Sequence, residues 1–343
     1  MKKFLVIKSC IPTAGRGVNG RTLYAFLKTY AGQRDVQCCD VNDLENSAGI
    51  SAEHVFLGLP SNITAGRLAR LRYRHLVLFD LTDHHDLMWD DATQPLLRNE
   101  TNTYLKAWCD ERWDYPLRMG VLPIRRHGRL RAAIDLERVR RFLGGKARRR
   151  KYDLMFLGGP TGTRRLPGET TPVSNQRVEW LLELKRQGAH LKLWGGMVNH
   201  NVHPGLAKQY GDLSEIFIQN KRTSFWKYYQ AMQQSAVALT PEGVAPWTYR
   251  HYEAIYAGAL VVTSDFRRIR MLVPLPVDNM VHVESGQPLL PAVEQALALR
   301  REHPELPGEN IRFLERHLHH GMYSRKRPEL FERFLAQLPG YAA

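Results

Sequence analysis

The stretch that most constrains this chain runs over residues 236–265. It reads Ala-Val-Ala-Leu-Thr-Pro-Glu-Gly, Val-Ala-Pro-Trp, Thr248-Tyr-Arg-His-Tyr-Glu-Ala-Ile-Tyr-Ala-Gly258, then Ala-Leu-Val-Val-Thr-Ser-Asp265. An apolar strand over 236–239 enters a Pro-Glu-Gly loop, and a helix over 248–257 follows. Gly258 ends that helix, because glycine takes the left-handed position after a helix without a Cβ penalty. A buried strand over 259–263 comes at once. Arg250 and Glu253 are three apart, so they share one helix face in its first turns, beside the loop. Open α/β sheets bind ligands outside the carboxyl ends of their strands. An arginine there can grip a diphosphate bidentately, and a glutamate can accept from two ribose hydroxyls. The same spacing also suits a surface ion pair.

The rest of the chain repeats this alternation. In the N-terminal half, strands are expected over 4–8, 35–39, 55–57 and 75–79, with helices over 21–30 and 64–72. Residues 80–114 read as aromatic and irregular. A second alternation has a strand over 153–158, a helix over 174–187, a strand over 190–193 and a helix over 224–234. Helices over 291–301, 309–317 and 328–338 close the chain. Strands alternating with helices build a parallel, doubly wound sheet. The expected class is α/β, with two Rossmann-like domains and an intervening cleft. The first domain spans 1–145 and the second 152–325. Residues 326–343 form a C-terminal helix packing back on the first domain. The Gly144-Gly145 run up to Lys151 reads as a linker.

Composition narrows the function classes. No run of about 18 apolar residues exists to cross a membrane. Met1 to Ser9 is too short an apolar run for a signal peptide, because Lys8 interrupts it. Cys10, Cys38, Cys39 and Cys109 have no Cys-x-x-Cys spacing, so neither a zinc site nor a disulfide framework is suggested. A cytoplasmic monomer is the expectation. The net charge of +15 is concentrated: residues 118–151 hold 13 Lys and Arg against Asp135 and Glu137, a local excess of +11. Such a stretch favours a polyanionic partner, or else serves as a solvated basic linker. Arg148, Arg149, Arg150 and Lys151 are its densest run and the candidate acceptor-binding residues.

Three further segments carry possible chemistry. Gly15-Arg-Gly-Val-Asn-Gly20 matches a dinucleotide fingerprint, with Asp40 twenty residues on. Its first glycine lies several residues past the first strand, so a glycine-rich loop that meets phosphate at a helix N-terminus is the better reading. Gly158-Gly159-Pro-Thr-Gly-Thr-Arg164-Arg165 follows the first strand of the second half. Its small residues let the backbone approach a phosphate, with Arg164, Arg165 or Arg177 to pair with it. Trp194-Gly-Gly196 follows the strand over 190–193 and would border a base.

The pattern Arg250-x-x-Glu253-Ala254-x-x-x-Gly258-Ala259-x-x-Val262, after a strand and a Pro-x-Gly loop, resembles the nucleotide-sugar site of GT-B glycosyltransferases. The resemblance implies that Glu253 binds the donor ribose and Arg250 the diphosphate of a nucleotide sugar, a UDP-sugar by preference. It implies no tightly bound cofactor; a divalent metal is permitted, but no motif requires one. More distantly, residues 22–28, 78–83, 153–159, 178–181 and 250–262 resemble the DNA glucosyltransferases of T-even phages, which modify hydroxymethylcytosine. Those motifs are shared with bacterial envelope and spore-coat glycosyltransferases. Sugar transfer needs a base for the acceptor hydroxyl. Just beyond the fourth strand, Asp83 is the first candidate, Asp80 the second and His84 the third, and the phage resemblance implies Asp83 through Thr82-Asp83. The acceptors it implies are duplex DNA bearing a hydroxymethylpyrimidine or an envelope saccharide or lipid-linked acceptor. A non-enzymatic nucleic-acid-binding protein would explain the charge but not Arg250 and Glu253.

Overall fold

The computed structural model describes residues 2–10, 20–44, 50–80, 82, 86–111, 114–123, 150–162, 164–165, 173–198, 204–218, 223–272, 274–318 and 328–341. The chain divides into two units. One comprises Met1–Ala132, Arg268–Pro274 and His317–Ala343; the other comprises Ala133–Arg267 and Leu275–Arg316.

The first unit is built on strands β1 (Lys2–Ile7), β2 (Val36–Cys39), β3 (Ser51–Gly58), β4 (Arg72–Phe79), β5 (Thr103–Lys106) and β6 (Arg118–Val121). They form one parallel sheet in the order β2-β1-β3-β4-β5-β6. Period-two alternation feeds two cores. Phe4, Val6, Phe56, Val77 and Phe79 face α1 (Arg21–Ala31) and the C-terminal helix Pro328–Leu335, whose Phe334 meets Phe26 edge-on. Leu5, Ile7, Val55, Leu57, Leu76 and Leu78 fill the other side. A parallel sheet needs cover on both faces, and its strands read accordingly as near-continuous apolar runs.

Two expectations need correcting here. The helix expected over 64–72 is only Ala65–Leu68 (α2), because Arg72 already pairs with Ser51 in the ladder. The region expected to be irregular, 80–114, contributes β5, and β6 follows at Arg118–Val121, where no strand was expected. Thr103, Tyr104, Leu105 and Lys106 are all fully buried, and the lysine disguises the strand.

The second unit has β7 (Tyr152–Gly158), β8 (Leu193–Val198), β9 (Phe217–Ile218), β10 (Ser235–Thr240), β11 (Leu260–Ser264) and β12 (Val281–Val283). Their order is β9-β8-β7-β10-β11-β12, all parallel. Numbered within the unit, this is 3-2-1-4-5-6, the dinucleotide-fold order. Helices α3 (Gln176–Gln187), α4 (Gly205–Tyr210), α5 (Phe225–Gln233), α6 (Tyr249–Ala257), α7 (Leu289–Glu302) and α8 (Leu306–Leu318) complete the alternation. The strand expected over 190–193 lies later, at β8. Glycines discourage a strand assignment from sequence, yet Gly195 sits in the ladder opposite Phe156 with φ +95°. A Cβ there would stand 2.0 Å from the Phe156 carbonyl oxygen.

Candidate functional site

In the second unit the strand order reverses between β7 and β10. Such a reversal leaves a crevice at the carboxyl ends of the two strands. The loops leaving Gly158 and Thr240 meet at that point. Gly162, at φ +88°, lies so close to Gly243 that an added Cβ would stand 2.3 Å from its backbone. The start of α3 locks both loops. Asn175 caps the helix by accepting from the Arg177 and Val178 amides, and its Nδ2 donates to the Pro160 carbonyl at 3.0 Å. Gln176 Oε1 accepts from the Glu242 amide at 2.8 Å. Arg177, a candidate phosphate ligand by sequence, donates from Nη1 to the Gly159 carbonyl (2.8 Å) and the Thr161 hydroxyl, and from Nε to the Glu242 carbonyl (3.0 Å). Its buried guanidinium therefore ties the two loops together.

Helix α6 begins at the same edge. Thr248 caps it in a capping box with His251, whose Nδ1 accepts from the Thr248 amide at 3.0 Å. That leaves Nε2–H to donate to the Thr263 hydroxyl at 2.9 Å. Burial lowers the His251 pKa to about 3, so the ring is neutral at physiological pH. Gly258 ends the helix at φ +74°, and β11 follows.

Arg250 and Glu253 are both buried, which excludes the surface ion-pair alternative. The Arg250 guanidinium lies over the Phe156 ring at 5.2 Å, and its Nη2 donates to the Leu157 carbonyl at 2.7 Å. Gly158 makes that approach possible: a Cβ there would stand 2.8 Å from Nη2. Nε and Nη1 of Arg250 have no hydrogen-bond partner among the described residues. Burial opposes the charge, but Tyr228, Tyr249 and Glu253 outweigh it and raise the pKa above the ordinary arginine value. A desolvated cation with unused donors at a strand-end crevice is suited to an anionic ligand. Glu253 Oε2 accepts from the Tyr228 hydroxyl at 2.9 Å. Sequence reasoning missed Tyr228, which lies 25 positions upstream in α5 with no local motif to mark it.

The remaining donor-side candidates lie differently. Trp194 is half-buried within β8, paired with Met155. Arg164 and Arg165 form a short antiparallel ladder with Ser174 and Val173; their side chains lie outside the described residues.

Of the acceptor-side candidates, Arg148 and Arg149 lie outside the described residues, as does almost all of the basic stretch. Lys151 is exposed, its amide donating to the Gln234 carbonyl at 2.8 Å. Arg150 has a different occupation. It donates to the carbonyls of Gln233, Ser235 (2.7 Å) and Gly258 (2.7 Å), at the amino ends of β10 and β11. Gln233 ends α5 and Gly258 caps α6, so one guanidinium satisfies carbonyls at two helix C-termini, where a cation is favoured. Burial lowers its pKa to about 10.

The first unit holds Asp80 at the carboxyl end of β4. Its carboxylate is fully buried and both oxygens are engaged. Oδ1 accepts from the Thr82 amide (2.8 Å) and hydroxyl (2.7 Å); Oδ2 accepts from the Tyr104 hydroxyl and Lys106 Nζ, each at 2.7 Å. Lys106 also donates to the Asp86 carbonyl at 2.9 Å. Asp83 and His84 lie outside the described residues, as do Gly15 and Gly17 of the glycine-rich loop. Gly20 of that loop caps α1 at φ +96°.

Among the described residues no group of acids, histidines and cysteines is arranged to hold a metal, and no helix is long and apolar enough to cross a membrane. No protein-family model matches the chain, and no curated protein matches it. Solved structures do. A glycosyltransferase from Rickettsia africae ESF-5 matches 97% of this chain and 98% of its own length, at 10% identity and a TM-score of 0.52. The GtfA/B complex matches 85% of this chain at 12% identity and a TM-score of 0.44, and this chain spans only 59% of that neighbour. T4 phage BGT in complex with its UDP-glucose substrate matches over 99% of this chain and 100% of its own, at 12% identity and a TM-score of 0.40. At such identities likeness speaks to fold, and the Rickettsia neighbour carries it: the chain has the α/β fold of GT-B glycosyltransferases.

Proposed function

We propose that the protein is a glycosyltransferase that takes a sugar from a nucleoside-diphosphate sugar, a UDP-sugar by preference, and passes it to an acceptor hydroxyl. The observation that carries this reading is Arg250, a desolvated cation with two unused donor groups at the switch point of the second unit. A diphosphate supplies acceptors for those donors, and Glu253 on the same helix face accepts from the ribose hydroxyls. Gly158, without a Cβ, leaves room for the Arg250 guanidinium at the strand end, while Arg177 holds the loop in shape. The GT-B fold agrees with this donor chemistry.

Asp83 is assigned as the base that takes the acceptor proton. Asp80 is enclosed, and both its oxygens already accept hydrogen bonds, so it anchors the segment that follows. The acceptor is a hydroxymethylpyrimidine in duplex DNA. The +11 stretch supports this, since phosphate neutralisation gives sequence-independent affinity for DNA. An envelope acceptor at an anionic leaflet would use the same charge.

The test is UDP release from a panel of UDP-sugars, with and without hydroxymethylated duplex DNA. Release that depends on the modified DNA supports the whole reading. Release that depends on a saccharide or lipid-linked acceptor keeps the enzyme and moves the acceptor. No release with any donor, together with no UDP binding, overturns it.

A further inference from the structure

Tyr228 stands in the first turn of α5, and its hydroxyl donates to Glu253 Oε2 at 2.9 Å. Tyr228 is 9% exposed and Glu253 4%, so water competes little for this bond. Stacking holds the residues around it: Phe225 lies parallel to Tyr229, with ring centroids 5.9 Å apart and an interplanar angle of 16°. Helix α5 is anchored at both ends. Ser224 caps its start, and Arg150 binds the Gln233 carbonyl at its close. The hydroxyl is thus held by a rigid element, while the glutamate reaches it through three rotatable side-chain bonds.

We infer that Tyr228 is a positioning residue that fixes the plane of the Glu253 carboxylate and so sets the preference for a ribose over a deoxyribose nucleotide. The inference rests on the donor reading above. A carboxylate that must accept from sugar hydroxyls discriminates well only if it cannot swing away when one is missing. A pinned, buried acceptor left unpaired penalises the deoxy analogue, whereas a mobile one relaxes and forgives it. Burial and the Glu253 charge raise the Tyr228 pKa well above its ordinary value, so the hydroxyl keeps its proton and remains a donor across the working pH range.

The experiment is calorimetric titration of the full chain with UDP, 2′-deoxy-UDP and 3′-deoxy-UDP. Wild type should prefer UDP over at least one deoxy analogue by about ten- to a hundredfold, the scale of a hydrogen bond to a charged group. Tyr228→Phe should cut that preference several-fold, mainly by relieving the penalty on the disfavoured analogue, with a smaller loss of UDP affinity. In a Glu253→Ala background, adding Tyr228→Phe should change the preference no further; this arm stands even if the single variant loses stability. Full preference in Tyr228→Phe, with wild type discriminating, overturns the inference and leaves the donor reading intact. An additive effect in the double variant does the same. A wild type that binds all three alike overturns the ribose role of Glu253 and this inference with it.

Discussion

The carboxyl ends of the two sheets each bury a charge, and they treat it in opposite ways. At the end of β4, Asp80 accepts from four donors, and its partner Lys106 is fully buried beside it. Near the end of β7, Arg250 is nearly as buried; its Nη2 donates to the Leu157 carbonyl and the Tyr228 hydroxyl lies against the guanidinium, while Nε and Nη1 lack a partner of good geometry among the described residues. A buried charge is tolerated when its hydrogen bonds are complete. Asp80 therefore needs nothing more. Arg250 is incomplete, and an anionic ligand would complete it. On the proposed reading, the contrast separates a charge that stabilises a fold from a charge kept for binding, although both stand at strand ends where catalytic residues are sought.

That contrast can be broken most sharply through catalysis. Asp83→Asn should slow sugar transfer by about 10²–10⁴ and leave UDP affinity unchanged, as expected for loss of a general base. Asp80→Asn should act through stability instead. If Asp80→Asn folds normally, loses transfer and keeps UDP binding while Asp83→Asn stays active, the roles are reversed.

Stability gives the next largest effect. Lys106→Met strands the Asp80 carboxylate and should cost roughly 3–5 kcal/mol in urea denaturation. Arg250→Met removes a cation already short of partners. It should cost less than Lys106→Met, about 1.5–3 kcal/mol, for the bond to the Leu157 carbonyl and the neighbouring Glu253 charge, since Glu253 keeps its bond from Tyr228. Equal losses in the two variants would erase the distinction.

Binding should show the reverse ranking. Arg250→Ala and Glu253→Ala should each weaken UDP by about 1.5–3 kcal/mol, roughly ten- to a hundredfold, read by calorimetry. Lys106→Met, where it remains folded, should bind UDP like wild type.

The basic stretch offers a smaller effect. Wild-type affinity for duplex DNA should fall with salt at a log–log slope of about −4 to −5, for four to six phosphate contacts. Replacing Arg148, Arg149 and Lys151 by Ala should flatten that slope by up to about 3. Arg150 is omitted from this set because its donors already serve three carbonyls. Tight binding to anionic vesicles with negligible DNA binding would favour the envelope acceptor.

The smallest effect is a pH slope. His251 has a pKa near 3 in the folded chain, against an ordinary value of 6.5. The unfolded chain thus binds a proton between those values that the native state refuses. Its contribution to stability is complete above pH 6.5 and declines as pH falls toward 3. Between pH 7 and 5, where carboxylates contribute little, His251→Asn should show a shallower loss of stability than wild type. Parallel slopes would mean that the ring is protonated in the fold.

Local rules were enough for much of this molecule. Helices α1, α3, α5, α6, α7 and α8 lie close to where hydrophobic spacing and caps put them, and Gly258 ends α6 as its backbone freedom requires. Arg250 and Glu253 share a helix face for the same reason: residues three apart on a helix are neighbours whatever the rest of the chain does. The alternation of strand and helix was likewise enough to give the α/β class. Tertiary structure decided what depends on distant partners. The Thr103–Lys106 strand is hidden by a lysine whose acid lies 26 positions away. Pairing with β3 begins β4 at Arg72 and cuts short the expected helix. Arg177 and Arg150 look like free cations in sequence, yet their guanidinium groups are committed to carbonyls from loops and helix ends far along the chain. Tyr228 meets Glu253 only because α5 and α6 pack on the same sheet. Sequence determines which charges the chain carries and which local elements hold them. Packing alone decides which of those charges are already satisfied, because the partners are brought together only by the folded chain.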